Sequence, residues 1–529
     1  MEHQEVSVRK DVEPAKTVDA AIDNEDAIDY KASHRKMLEL LRAADKQSKE
    51  DHPFLGLKPL RQAEQALKDA PADLGAWDRS VLHGTYGQQL LRSGKTIDAI
   101  RETLKSVELA ESLGDKIEPK VLQQVYYITG VAYLRDAENV NCVNCLNGER
   151  CLFPIEGDGI HDDKASSRSA IEFFQKALKL DPQDVKARWL LNICYMTLGE
   201  YPSNVPPEYL LPPELFRGAE SPVGKFVNIA KDLGLNVKGC AGSVIVDDFD
   251  GDLDLDVVFS SWETDASLRF FRNEGHGKFV DATEHANFAG INGGLNLVHA
   301  DYDNDGDLDI LVLRGAWLEN RGRHPKSLLR NDGTGRFWDV TLAVGLMDDF
   351  YPSQTADWAD FDHDGDLDLY IGNEGFPCQL MKNNGRDGFQ DIAKEAGVLN
   401  GGPTKGSAWG DYDNDGWPDL YVSNLGAPNK LYHNNHDGTF TDVAEPMGVA
   451  GPIFSFPVWF WDFDNDGRLD LYVSSYKPGS NFVARDYMGL RDDEEPDAFL
   501  LRNGRRQVRR SSRATGFQAC DAADGSEHR

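Results

Sequence analysis

The chain has 529 residues, a formal net charge of −33, and hydrophobic residues at 40% of its positions. A chain of this length is expected to fold into several domains, each with its own core. Because the excess negative charge repels phosphates and anionic lipids, nucleic acid is not an expected partner. No apolar run of about 18 residues occurs, so membrane insertion is not predicted either.

The first 200 residues are predicted to be a polar leader followed by a helical domain. Residues 1–30 are polar and acidic, which is typical of disorder, and they contain no apolar core for a signal peptide. From 31 to 200, apolar residues recur at spacings of three and four. The predicted helices are a pair joined at Gly94 within 81–113, and then 125–134, 167–180 and 185–198.

The helical region resembles tetratricopeptide repeats, and an ordinary helical bundle is the alternative. The segment AIEFFQKALKLDPQD carries the resemblance most clearly. A Cys-rich insertion at 139–165 contains Cys142, Cys145, Cys151 and His161. A disulfide or another structural role is predicted for the cysteines, and a zinc site with His161 or free thiols are the alternatives.

A Pro-rich linker at 201–222 precedes a region with a period of 51–59 residues. Each period has a short strand, an Asp-rich segment and strand-like runs such as LYVSN, LYHN and GTFTDV. Four strands in a radially repeated unit are the blade of a β-propeller. Residues 223–517 are therefore predicted to form an all-β propeller with five recognisable blades, and 518–529 an irregular tail.

Each Asp-rich segment has the donor spacing of a calcium-binding loop. Asp at positions 1, 3 and 5 turns three carboxylates inward, and Gly at position 6 permits the sharp turn. Position 7 offers its backbone carbonyl, and Asp at position 9 completes the oxygen shell. Calcium accepts such a shell better than magnesium, which keeps its waters. The predicted ligands are Asp248, Asp250, Asp252, Asp256, Asp301, Asp303, Asp305, Asp309, Asp360, Asp362, Asp364, Asp368, Asp411, Asp413, Asp415, Asp419, Asp462, Asp464, Asp466 and Asp470.

The first loop departs from this pattern, because Gly251 stands at position 4 and Leu253 at position 6. Plain Asp-Gly turns are the alternative for all five loops. Five copies at a nearly constant period argue against it, since the clustered carboxylates would then have no counter-cation.

These loops and strands resemble the FG-GAP or VCBS repeats of integrin α-chain propellers. The helical front and the repeats together resemble bacterial relatives of the cartilage acidic protein (ASPIC/UnbV) family. The resemblance implies an integrin-α-like propeller of seven blades in an extracellular, cell-surface or periplasmic protein. Because five loops occur and no ASPIC/UnbV module follows, we expect truncation from seven blades, and a ring of five blades closed by GKFVNIAKDLGL from Gly224 is the alternative.

The predicted function is calcium-dependent binding of a protein or a surface glycan, without catalysis. No nucleophile elbow, P-loop or HExxH motif occurs. A polysaccharide-active enzyme is one alternative, although the Asp residues recur as equivalents and catalysis needs one special pair. A scaffold that acts through its helical repeats is the other.

Further residues beside the loops are assigned to packing or to the surface. His363 occupies position 4 of the third loop and is expected to point outward, and His299 precedes the second loop. Four tryptophans on the strands before the loops are expected to pack in the core or rim rather than to form a sugar-stacking platform. They are Trp358, Trp409, Trp459 and Trp461. Residues 505–511 break the repeat where a G-x-F-x-D-V strand is expected, which indicates an out-of-frame patch.

Overall fold

The computed structural model describes residues 29–54, 56–142, 153–216, 226–237, 239–347, 349–476, 480–488, 490, 498–501 and 507–510. Residues 1–28 of the predicted leader, Cys145, Cys151 and the tail at 518–529 lie outside this part. None of the helices in the described ranges is long and apolar enough to cross a membrane. These helices are α1 (Tyr30–Asp51), α2 (Lys58–Lys68), α3 (Ala76–Arg92), α4 (Thr96–Glu111), α5 (Pro119–Asn141), α6 (Ala165–Leu180), α7 (Val185–Leu198), α8 (Ala444–Met447) and α9 (Ser480–Tyr487).

Helices α2 to α7 each pack against the next helix along the chain, which confirms the predicted helical region. Gly94 has φ +73° and turns the chain between α3 and α4. A Cβ at Gly87 would lie 2.8 Å from Thr103 Cγ2, so α3 and α4 approach too closely there for a larger residue. Asp184 caps α7 by accepting hydrogen bonds from two backbone N–H groups of its first turn. The tetratricopeptide assignment stays a prediction.

Helix α1 packs its apolar face against β-sheets. Met37 and Leu41 on its apolar face are 1% and 3% exposed, and they share a core with residues of the first two sheets. Ser48 Oγ lies 3.1 Å from Nε2 of His324, in hydrogen-bond contact with the connection between the second and third strands of the second sheet. These contacts attach the start of the helical region to the β region.

The β region consists of five antiparallel sheets of four strands, each in chain order. The first strands of neighbouring sheets contact one another in sequence, which is the arrangement of blades in a β-propeller. The predicted four strands per repeat are confirmed. The first sheet has β1 (Ala241–Asp247), β2 (Asp256–Ser261), β3 (Arg269–Asn273) and β4 (Phe279–Asp281); the second has β5 (Asn296–Ala300), β6 (Asp309–Leu313), β7 (Ser327–Asn331) and β8 (Phe337–Asp339); the third has β9 (Ser353–Ala359), β10 (Asp368–Asn373), β11 (Gln379–Asn383) and β12 (Phe389–Asp391); the fourth has β13 (Thr404–Gly410), β14 (Asp419–Asn424), β15 (Lys430–Asn434) and β16 (Phe440–Asp442); the fifth has β17 (Ser455–Trp461), β18 (Asp470–Ser475), β19 (Ala498–Leu501) and β20 (Gln507–Arg510).

The three inner sheets are covered on both faces, whereas the first and fifth are not. Every residue of β6, β10 and β14 is buried, because sheets pack on either side of them. By contrast, Val244 and Val246 on β1 are 60% and 48% exposed, and Trp459 on β17 is 45% exposed. The first and fifth sheets therefore leave apolar side chains uncovered on the described part of the ring.

The segment predicted to close the ring forms no strand within its described residues, 226–237. Phe226 is 97% exposed and Val227 is 80% exposed. The fourth strand of the fifth sheet is instead β20, which pairs with β19. The prediction that this segment closes the ring is therefore wrong for this structure. Residues 507–510, from the patch at 505–511, form the fourth strand of the fifth sheet instead.

Candidate metal centres on the loops of the sheets

Each Asp-rich loop joins the first strand of its sheet to the second. The Asp at position 9 is also the first residue of the second strand, and this fixes its carboxylate at the base of the loop. The position-9 residues are at most 3% exposed, and they are Asp256, Asp309, Asp368, Asp419 and Asp470.

Position 1 fixes the curvature of the loop through its own carboxylate. In the second loop, Asp301 accepts hydrogen bonds from the backbone N of Asp305 at 3.0 Å and from that of Gly306 at 2.9 Å. Gly306 has φ +92°, a left-handed conformation that favours glycine. The third, fourth and fifth loops repeat both bonds. The sequence folds locally into a turn whose carboxylates point inward.

Carboxylate oxygens converge in these loops to distances that suit one cation. One oxygen from each of Asp301, Asp303 and Asp309 lies within 4.8 Å of the others. The equivalent residues converge in the first and third loops, and positions 1, 3 and 5 do so in the fourth. These further groups are Asp248, Asp250 and Asp256; Asp360, Asp362 and Asp368; and Asp411, Asp413 and Asp415. That any of them binds calcium stays a prediction.

Burial makes the position-9 carboxylates costly to ionise without a cation. Desolvation raises the pKa of Asp309 to about 9 and that of Asp368 to about 7. The same cause raises the pKa of Asp256 and of Asp419 to about 6. A divalent ion would supply the missing positive charge and favour the ionised form. The donor set, all oxygen and mostly carboxylate, fits calcium.

A basic side chain from the third strand reaches the carboxylates of each of the first four loops. We did not predict these side chains, although the sequence signal is a basic residue before Asn in FRN, LRN, MKN and YHN. The contacts are Arg272 Nε to Asp250 at 3.8 Å, Arg330 to Asp303 and to Asp305 at 2.5 Å each, Lys382 to Asp362 and, at 3.3 Å, to Asp364, and His433 Nδ1 to Asp413 at 3.5 Å and to Asp419 at 3.2 Å.

In the second, third and fourth sheets, the Asn that follows the basic residue connects neighbouring loops. The backbone N of Asn331 donates to Asp309 Oδ1 at 2.7 Å, and its side-chain Nδ2 donates to the carbonyl of Phe249 in the preceding loop at 2.8 Å. In the third sheet, Asn383 Nδ2 donates to the carbonyl of Tyr302 in the second loop at 2.9 Å. In the fourth sheet, Asn434 Nδ2 donates to the carbonyl of Phe361 in the third loop at 2.9 Å. The loops are therefore connected, and these Asn residues were also missed.

Position 4 also connects successive loops. Asn304 Nδ2 donates to Asp366 Oδ1 of the next loop at 2.9 Å. His363 occupies the same position in the third loop, and its ring stacks on Trp417 of the fourth, with 4.2 Å between the ring centres. His363 thus lies on the loop surface, where we expected it. The loops form a continuous row along one rim of the sheets.

The first loop keeps the shape of the others at a conformational cost. Leu253 has φ +73° where the other four loops have Gly, and its side chain is 91% exposed. A left-handed conformation costs a residue with a Cβ about 1 kcal/mol. Within the described part of the chain, the Leu253 side chain projects into solvent, so burial there does not offset this cost.

The remaining predicted residues lie in four places. Cys142 Sγ lies 3.5 Å from His161 Nε2, but Cys145 and Cys151 lie outside the described residues. His299 contacts Asp247 at 3.0 Å, beside the first loop. Of the tryptophans, two pack beside apolar cores and two form an aromatic group with Tyr472 on the outer face of the fifth sheet. The two that pack beside cores are Trp358 and Trp409, and the other two are Trp459 and Trp461.

Propeller-like sheets that carry D-x-D-x-D-G-x-x-D loops define the class of protein. A family model described as "FG-GAP-like repeat" matches residues 248–312 and 411–473. These two ranges contain the first, second, fourth and fifth loops. The chain therefore contains FG-GAP-like repeats in these two ranges.

Part of the chain is similar in sequence to cartilage acidic protein 1 from three vertebrates. The Xenopus tropicalis protein is 29% identical over 168 residues, which are 28% of this chain and 25% of that protein. The Homo sapiens and Mus musculus proteins are each 29% identical over 167 residues, or 28% of this chain and 24% and 25% of their own lengths. The match thus spans about a quarter of these relatives. It confirms the resemblance to the cartilage acidic protein family.

Proposed function

We propose that this protein is a calcium-stabilised, non-catalytic FG-GAP-repeat protein that binds a protein or a surface glycan outside the cell. The observation that carries the proposal is the convergence of Asp301, Asp303 and Asp309 within 4.8 Å, repeated in neighbouring loops along one rim. Calcium would neutralise these carboxylates and hold the turns of the sheets in place.

The chemistry of the loops supports calcium over other common ions. Each loop offers four Asp side chains and one backbone carbonyl, which are hard oxygen donors in a flexible arrangement. Magnesium requires shorter distances and regular octahedral geometry. Calcium sites in extracellular modules have dissociation constants of about 10⁻⁴–10⁻³ M, so the proposed sites would be filled outside the cell.

Two observations favour binding over catalysis. The position-1 carboxylates already accept backbone hydrogen bonds, and basic side chains contact the carboxylates of four loops. The first three loops therefore repeat one arrangement, and none of them presents a distinctive acid–base pair. The names of the relatives describe an acidic protein of cartilage, and the acidity of this chain, with its net charge of −33, agrees with a related extracellular setting.

An aromatic cluster on the rim opposite the loops is the surface that we propose for the partner. Trp317, between β6 and β7, lies 5.9 Å from Phe456 and 6.3 Å from Tyr476, measured between ring centres. Beneath it, Lys405 Nζ lies 3.4 Å from the Trp317 ring centre and pairs with Glu374 at 2.5 Å. Tyr476 is 39% exposed and offers the apolar face and polar tip that protein and glycan partners favour.

The test combines metal binding with partner capture by the full chain. Equilibrium dialysis should show several bound calcium ions per chain. Arrays of extracellular matrix proteins and glycans should retain the chain in calcium and release it in chelator. Tyr476→Ala should weaken retention while leaving the number of bound calcium ions unchanged. Absence of bound calcium would overturn the proposal, and so would turnover of a polysaccharide.

A groove in the helical region supports a second candidate, a scaffold that binds through its helices. Trp77, Val81 and Val125 line this groove between α3, α4 and α5. Trp77 is 37% exposed and Val81 is 44% exposed. If the helical region binds the partner, Trp77→Ala will abolish capture, and chelator will not affect it.

A further inference from the structure

The fourth loop differs from the first three in the residue that its third strand supplies. Arg272, Arg330 and Lys382 bring a fixed positive charge without a free electron pair, so they balance carboxylates but do not ligate a metal. His433 occupies the same place in the fourth sheet. A neutral imidazole nitrogen is a metal ligand, so this loop has a nitrogen donor where the others have a cation.

The nitrogen of His433 lies among the carboxylates that would hold an ion. Its Nδ1 is 3.2 Å from Asp419 Oδ1 and 3.5 Å from Asp413 Oδ2. One donor atom from each of the three residues lies within 4.8 Å of the others. Asp419 is fully buried, while the side chains of His433 and Asp413 are each 29% exposed. The group is thus anchored at its base and open to an ion from solvent.

A second imidazole lies on the other side of the same loop. His436 Nε2 is 2.7 Å from Asp415 Oδ2, and its ring centre is 6.4 Å from that of His433. Trp417 stacks on His436 with 4.9 Å between ring centres, which limits the orientations of that ring. Two imidazoles therefore lie beside the carboxylates of one loop.

We infer that the fourth loop binds a borderline divalent metal of the zinc type, held by His433, Asp413 and Asp419, with His436 beside it. The inference rests on the proposed function insofar as it takes the loops to be metal sites. Zinc and its neighbours accept imidazole nitrogen together with carboxylate oxygen, whereas calcium takes oxygen ligands. The third-strand residue would then set the metal preference of each loop.

Metal titration of the full chain tests this inference, with Cys142→Ser, Cys145→Ser and Cys151→Ser combined as the background, because these three cysteines are candidate zinc ligands themselves. In millimolar calcium, we expect one additional equivalent of zinc to bind. His433→Arg, which gives the fourth loop the residue of the second, should weaken this binding at least tenfold and leave calcium binding by the first three loops unchanged. The reciprocal change, Arg330→His, should add a zinc equivalent.

X-ray absorption at the zinc edge gives a readout that needs no substitution in the fourth loop. The zinc-loaded background chain, which lacks the three cysteines, should show imidazole scattering. Zinc binding that His433→Arg does not weaken, or a shell of oxygen alone, would overturn the inference. If calcium binds and no zinc equivalent depends on His433, this inference alone fails. If zinc binds through His433 and no loop binds calcium, the proposed function alone fails.

Discussion

The side-chain Nδ2 of Asn331 donates a 2.8 Å hydrogen bond to the backbone carbonyl of Phe249, and so joins the second sheet to the loop of the first. The backbone N of the same Asn331 donates to the buried carboxylate of Asp309 in the second loop. One residue thus contacts two candidate metal sites. Filling one site should therefore affect its neighbour.

Asn331→Ala should lower the unfolding free energy by about 1–3 kcal/mol, because it leaves buried carbonyls without a donor. It should also reduce cooperativity between calcium sites, measured by calorimetric titration. Asn273→Ala is the matched control, since the Asn273 amide donates to Leu255 within its own loop. Equal loss of cooperativity in both variants would contradict the proposed link.

Asp309→Asn should destabilise the calcium-bound protein and have little effect on the metal-free protein. Burial raises the pKa of Asp309 to about 9, so without metal this carboxyl is already neutral at pH 7. In chelator, the unfolding free energy of the variant should therefore lie within about 1 kcal/mol of that of the wild type. In calcium, the variant should bind one ion fewer and gain less stability.

Asp307→Asn is the control for that experiment, because position 7 is expected to bind through its backbone carbonyl and not through its side chain. Asp307→Asn should retain calcium binding by the second loop. Because ionisation of Asp309 accompanies binding, calcium titration of the wild type at pH 7 should release protons, measured in buffers of different ionisation enthalpy. Unchanged calcium binding by Asp309→Asn would contradict its role as a ligand.

Leu253→Gly should stabilise the protein. The φ of +73° at Leu253 costs a residue with a Cβ about 1 kcal/mol, and glycine removes this cost. The variant should raise the melting temperature in calcium and strengthen binding by the first loop. The reverse change in the second loop, Gly306→Leu, should lower both. A destabilised Leu253→Gly would mean that the exposed Leu side chain makes contacts absent from this structure.

Acid should weaken the attachment of α1 to the sheets. Burial lowers the pKa of His324 to about 4 from its usual 6.5, and the positive charge of Arg314 acts in the same direction. Between these values the unfolded chain takes up a proton that the folded chain does not. Stability should therefore fall as the pH decreases through this window, by about 3 kcal/mol at its lower end.

His324→Gln removes this proton uptake and keeps a polar partner for Ser48. Denaturant unfolding in chelator at pH 7, 6 and 5 should show a shallower loss for this variant than for the wild type. Equal pH dependence in the two proteins would show that His324 does not limit stability in acid.

Most of the fold was predictable from local patterns in the sequence. The spacing of apolar residues predicted α3, α4, α6 and α7. Gly94 and Gly199, which adopt a left-handed conformation, marked the ends of α3 and α7. The period of the Asp-rich loops located the five sheets. The packing of α1 on the sheets was not predictable, since Met37 and Leu41 show only that one face of a helix is apolar, not which element covers it.

The candidate sites were only partly predictable. Ligand spacing within a loop is a local property, so the positions of the four Asp residues could be read directly from the sequence. His433 and Asn331 lie 14 or more residues from the carboxylates they contact, and strand pairing brings them there. The prediction of ring closure was wrong for a similar reason. The apolar pattern around Phe226 is compatible with a strand, but it does not say which strand it would pair with.

The measurement that tests the central claim most directly is thermal unfolding of the full chain in millimolar calcium, in millimolar magnesium and in excess chelator. We predict a large rise in melting temperature with calcium and little rise with magnesium, because the loops present oxygen shells suited to calcium. Equal melting temperatures in calcium and in chelator would contradict the claim, and the loops would then be Asp-Gly turns that bind no metal.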